Sequence, residues 1–297
     1  MKKASSAIIF IIAAQFVMAQ NKNYEELLQL PRYTSEFYYS PGKEKIAKDI
    51  AISIESATKY FKEELDFIPK TKIFVLGPEH WKKYAAFPVY GMPHNIDMVR
   101  LAVASDENDF WQSFLPPLDK LPAVLVERIK TAYRNADKSY SMRPFFNLLA
   151  IHELGHSYHG QKKINMQRRW MQELFVNIML HTYVAEKRQD LLPALTTFPE
   201  MVVSAGSAEF RYTSLSDFEE KYDDAGAGMT AKNYGWYQCN FHHAAKNIYD
   251  AGGKKVLNKL WTALQEHPEK LNDIALVQML NDKVHPSVAD VYRKWNQ

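Results

Sequence analysis

The sequence predicts an α+β protein: a small N-terminal α/β portion with a mixed sheet, then a mainly helical C-terminal portion. Three observations lead there. Residues 43–140 combine helical periodicity with short β-rich runs. From Pro144 onward the periodicity is helical, with almost no β-rich run. The two patterns follow one another instead of interleaving, which separates this chain from a doubly wound sheet. With 297 residues, 46% of them apolar and 24% charged, the chain has ordinary globular composition and enough length for a large core.

The first 19 residues read as a signal peptide. Lys2 and Lys3 form a basic start, residues 7–14 a short apolar run, and Val17-Met18-Ala19 a small-x-small cleavage site before Gln20. The apolar run is too short to remain as a membrane span. The mature chain is therefore expected to be secreted or periplasmic. Residues 20–140 form the expected α/β lobe and residues 141–297 the helical lobe, together making one functional unit.

In the first lobe, Ile46, Ile50, Ile54, Ala57, Phe61 and Leu65 recur at helical spacing within 43–65. Residues 72–76 (KIFVL) are a β-rich run closed by Gly77-Pro78, hence a strand. Residues 96–103 read as a second strand, its apolar run broken by Asp97 and Arg100 as an exposed edge requires. Such a strand would form the upper rim of a cleft and pair with an extended peptide. Pro116-Pro117 marks a loop and 121–133 a helix. In the second lobe, residues 144–160 form a helix with Pro144 in its first turn and Gly160 as its stop. A second helix covers 168–189. Residues 190–233, with Pro193, Pro199 and a Gly226-Ala227-Gly228 stretch, read as irregular. Helices follow at 234–249 and 256–266.

Loss of the leader removes two Lys and leaves a net charge near +1. That balance gives no electrostatic case for nucleic acid or a membrane surface. The single cysteine, Cys239, cannot form an intrachain disulfide and reads as a small buried apolar residue.

The chemistry lies in His152-Glu153-Leu154-Gly155-His156, an H-E-x-x-H pattern on a helix. Residues i and i+4 lie one above the other, so the two imidazoles can converge on one ion. Glu153, one position on, is swung aside, where it reaches a water beside the metal and serves as general base. Gly155 between the histidines would let another element approach closely. A catalytic zinc takes three protein ligands. Lys162 stands where a third histidine on an extended version of the motif would stand. Glu173, surrounded by Leu174, Phe175, Val176 and Ile178, is the expected third ligand, because an acid in such surroundings needs a cationic partner. His181, Asp190, His242 and His243 are the reserve ligands. His159 reads as a solvent-facing histidine, with a supporting place behind the metal ligands as the alternative.

HELGH at 152–156, followed by W-x-x-E at 170–173 in the next helix and an aromatic segment at 233–253, resembles the gluzincin zinc metallopeptidases of the peptidase-MA type. The resemblance implies a thermolysin-like, zincin-type core, one Zn2+ per chain and hydrolysis of peptide or protein substrates. By it, His152, His156 and Glu173 are the ligands, and Glu153 the base. It also implies an electrophile for the oxyanion. Tyr237 stands where relatives place a tyrosine, and Tyr234 and His242 are near it in sequence. Asn177, one turn after Glu173, stands between a group that orients a ligand histidine and a plain core-edge asparagine. Leu174 departs from the glycine many relatives carry. Two other expectations remain open on the same residues: a non-catalytic, zinc-stabilised peptide-binding relative, and a zinc hydrolase of another amide or ester.

Overall fold

The computed structural model describes residues 24–222 and 229–295. The signal peptide at 1–19 and the Gly226-Ala227-Gly228 stretch lie outside the described residues.

The chain is α+β, as its patterning predicts. Five strands, β1 (Leu28–Leu30), β2 (Glu36–Tyr39), β3 (Lys72–Leu76), β4 (His94–Asn95) and β5 (Arg100–Ala104), form one sheet in the order β1-β2-β3-β5-β4. The sheet is mixed: β2, β3 and β5 run parallel, while β1 and β4 flank them antiparallel. Each of β3 and β5 carries four consecutive buried residues, the pattern of inner strands covered on both faces. The helix α1 (Glu44–Leu65) connects β2 to β3 and buries Ile50, Ile54, Ala57, Phe61 and Leu65. It ends at Asp66, which adopts a left-handed conformation with φ 48°. After β3, α2 (Pro78–Tyr84) starts on its proline.

The run at 96–103 is not one strand. Asn95 Oδ1 accepts the backbone N–H of Met98 at 2.6 Å, and Asp97 Oδ1 accepts that of Arg100 at 2.8 Å. Side chains that satisfy nearby backbone donors favour a turn over a ladder. Met98 takes a left-handed φ of 64° in the bend. The segment therefore becomes a hairpin: β5 is interior, and the two-residue β4 is the edge. An edge-strand role for 96–103 is thereby corrected.

The remainder is helical: α3 (Asp109–Gln112), α4 (Ala123–Tyr133), α5 (Arg143–Gln161), α6 (Arg169–Lys187), α7 (Leu192–Ser204), α8 (Leu215–Lys221), α9 (Ala231–Gly252), α10 (Lys255–Glu266), α11 (Asp273–Met279) and α12 (Pro286–Lys294). Two of these lie where irregular chain was expected. Pro199 sits inside α7 without ending it, because Leu195, Thr197, Phe198 and Pro199 itself are buried and tertiary packing outweighs the lost hydrogen bond. The shorter α8 is set by a reciprocal cap between Ser214 and Asp217. Gly160 lies within α5 instead of stopping it. A Cβ there would stand 2.7 Å from Met98 Cγ and Sδ, so the glycine accommodates the hairpin bend.

One continuous apolar cluster runs from the sheet through α1, α5, α6, α9 and α10. Cys239 is part of it. Among the described residues no helix is long and apolar enough to cross a membrane.

Candidate metal centre

Helix α5 is buried almost all round from Phe145 to His159, so its polar side chains face protein, not water. Gly155 sets its distance from α6. A Cβ at this position would lie 2.9 Å from Val176 Cγ1, closer than atoms of that kind approach. The close approach expected at Gly155 is thus an approach of the helix that carries Glu173.

The result is a compact trio. Glu173 Oε2 lies 3.3 Å from His152 Nε2 and 3.7 Å from His156 Nε2. One donor atom from each residue falls within 4.8 Å of the others, and among the described residues this is the only such group of three or more His, Cys, Asp or Glu. Three donors about 2.0–2.1 Å from a tetrahedral zinc stand about 3.3 Å apart. The distances of 3.3 and 3.7 Å lie near that spacing, so the trio could hold a metal ion, and three protein donors would leave a fourth position open. It fits chemically too: a carboxylate only 1% exposed, facing two imidazoles, needs positive charge to offset its burial.

The side chains of the trio are held from behind. Asn177 Nδ2 donates to the Glu173 carbonyl at 3.0 Å, which turns Asn177 Oδ1 toward His152 Nδ1 at 3.2 Å. The imidazole then carries its proton on Nδ1 and presents Nε2 to the trio. Asn177 therefore orients His152, a member of the trio. His159 supports His156 from behind, with Nε2 3.1 Å from His156 Nδ1. It is buried beside Phe175 instead of facing solvent, because position i+3 on this helix points into α6. On Glu173 itself, Tyr222 donates its hydroxyl to Oε1 at 2.5 Å, and Gln238 Nε2 donates to Oε2 at 2.9 Å.

These contacts set the charges. Burial opposes ionisation of Glu173, but His156, His152 and the Tyr222 hydroxyl outweigh it and hold the carboxyl well below the usual range. Burial likewise disfavours charge on His152, yet Glu173 and Glu153 raise its pKa overall. His156 goes the other way, pushed down to about 4 by burial.

Glu153 lies beside the trio. Its Oε2 accepts the backbone N–H of Asn95 at 2.7 Å. Asn95 Nδ2 donates to the Glu153 carbonyl and to Ser157 Oγ, at 3.1 and 3.0 Å, tying the edge of the sheet to α5. Burial pushes the Glu153 carboxyl up to about 7, the range where a group gives and takes protons near neutral pH.

Tyr237 is not brought to the trio. Its hydroxyl donates to the Ser214 carbonyl at 2.7 Å, and its ring is buried against Phe218 and Trp295. The residue acts as a brace between α9 and the start of α8. The tyrosine hydroxyl at the site is that of Tyr222, one turn after Phe218. Tyr234 stands beside it, held by Gln238 Nε2 at 2.8 Å. His181, His242 and His243 line a narrow slot among α6, α7 and α9 with Glu200 and Lys246; none is a member of the trio, but the His242 ring packs 6.1 Å from that of His152. Asp190 pairs with Arg188. Asn95, Tyr222 and Gln238 carried no sequence signal. Each lies on a different element from the motif, so only the fold reveals it. No family model and no curated protein matches the chain.

Proposed function

We propose that this protein is a single-zinc hydrolase that cleaves peptide bonds, with His152, His156 and Glu173 as ligands and Glu153 as general base. The observation that carries the reading is the buried His152–His156–Glu173 trio with a second carboxylate, Glu153, poised near neutrality beside it. A zinc ion held by His152, His156 and Glu173 would supply Lewis acidity to a water and to a substrate carbonyl. Glu153 takes a proton from the attacking water and passes it to the leaving amine. Asn95 aims that carboxylate through its backbone N–H. Asn177 keeps the His152 tautomer that presents Nε2, and His159 supports His156. Destined for an extracytoplasmic compartment by its leader, the enzyme would meet peptide or protein substrates there.

The test is a mixed-peptide digest of wild type and Glu153→Gln, each with and without chelator. Cleavage that chelator abolishes, zinc restores and Glu153→Gln lowers by ~10²–10⁴-fold supports the proposal. Zinc uptake without cleavage of any peptide would leave a binding protein instead. Hydrolysis confined to non-peptide amides or esters would move the substrate class.

A further inference from the structure

Glu173 offers two oxygens, and the structure treats them differently. Oε2 faces His152 Nε2 and His156 Nε2 at 3.3 and 3.7 Å. Oε1 is taken by the Tyr222 hydroxyl at 2.5 Å. The phenol is fixed from several sides. Its oxygen accepts Gln172 Nε2 at 3.4 Å, the Arg169 guanidinium lies 5.4 Å from the ring centre, and Phe218 packs edge-on at 5.2 Å. The helix α8, which ends just before Tyr222, is itself anchored: Glu219 Oε2 accepts the backbone N–H of Arg169 at 2.6 Å, capping α6 one turn before Glu173. Gln238 Nε2 meanwhile occupies one lone pair of Oε2 and leaves the other free.

A carboxylate can bind a metal through one oxygen or both. With one, the trio gives three donors and an open fourth position. With both, the second oxygen fills the space a water would take. A hydroxyl hydrogen-bonded to Oε1 opposes rotation toward the two-oxygen mode, since its own buried bond would be lost.

We infer that Tyr222 is a positioning residue that keeps Glu173 a one-oxygen ligand, and so keeps the fourth position of the metal open for water. The inference rests on the metal-centre reading above and extends it to a residue outside the H-E-x-x-H pattern. Tyr222 acts through Glu173 and need not touch substrate. Its hydroxyl matters, whereas its ring serves packing.

The test compares wild type with Tyr222→Phe, which removes the hydroxyl and keeps the ring. Both are loaded with Co2+ and read by visible absorption, whose intensity is high for four-coordinate and several-fold lower for five-coordinate ions. The expected result is at least a two-fold loss of band intensity in Tyr222→Phe. Cobalt should release no faster than from wild type, and kcat on a peptide should fall ten-fold or more with little change in KM. In a Glu173→His background, where the third ligand has no second oxygen to offer, Tyr222→Phe should leave the band unchanged. An unaltered band in Tyr222→Phe alone, or an equal change in both backgrounds, overturns the inference while the metal reading stands. Wild type that takes up neither cobalt nor zinc overturns both.

Discussion

Asn95 donates its backbone N–H to Glu153 Oε2 at 2.7 Å and its side-chain amide to the carbonyl of the same glutamate at 3.1 Å. One residue at the sheet edge thus fixes both the helix that carries the base and the carboxylate itself. Asn95→Ala keeps the N–H but removes the amide bonds to Glu153, Ser157 and Met98. It should destabilise the protein by ~1–3 kcal/mol in urea unfolding and lower peptide turnover. Unchanged stability would mean that the hairpin docks on α5 through apolar contacts alone.

Asn177 and His159 should tune metal affinity without touching the ion. Asn177→Leu and His159→Leu should each weaken zinc binding by ~10–100-fold, read by competition with a chromophoric chelator. Asn177→Asp, which retains an acceptor for His152 Nδ1–H, should lose less. Equal loss in Asn177→Asp and Asn177→Leu would assign the effect to packing.

Gly155→Ala should destabilise, although alanine is the better helix former by ~1 kcal/mol. The added Cβ would sit 2.9 Å from Val176 Cγ1 in a fully packed seam, and overpacking of this kind costs ~1–3 kcal/mol. Val176→Ala in the same chain should recover most of the loss. A stabilised Gly155→Ala in thermal unfolding would show that α5 and α6 can separate freely.

His181, in the slot beside α7, should make the fold acid-sensitive. Burial pushes His181 down to about 4, so it is neutral in the folded chain above that pH, whereas in the unfolded chain it titrates near the ordinary imidazole value of 6.5. Between those values the unfolded state binds the extra proton. Stability is therefore fully present above about 6.5 and falls as pH drops toward 4, by at most ~1.4 kcal/mol per pH unit from this group. In metal-free protein, His181→Asn should flatten the stability curve within that window and leave it unchanged above pH 7. An identical slope in both proteins would refute the assignment.

What the sequence determined by itself is local. The strand at 72–76 and the helices of α1, α5, α6, α9 and α10 were legible because apolar residues recur at the period of each element and glycine or proline flanks them. The convergence of His152, His156 and Glu173 was legible because a spacing of four on a helix and an acid among apolar residues each imply a partner. Tertiary structure decided the rest. The segment at 96–103 looked like a strand, but the side chains of Asn95 and Asp97 closed a turn within it. Helix α7 formed through Pro199 because packing of its buried face exceeded the local break. Tyr237 and Tyr222 are indistinguishable as sequence. Which hydroxyl reaches Glu173 depends on how α8 and α9 pack on α6, and such long-range placement leaves no period in the chain. Periodicity reports which face of an element is buried, whereas the partner that the face meets is fixed only when the whole core closes.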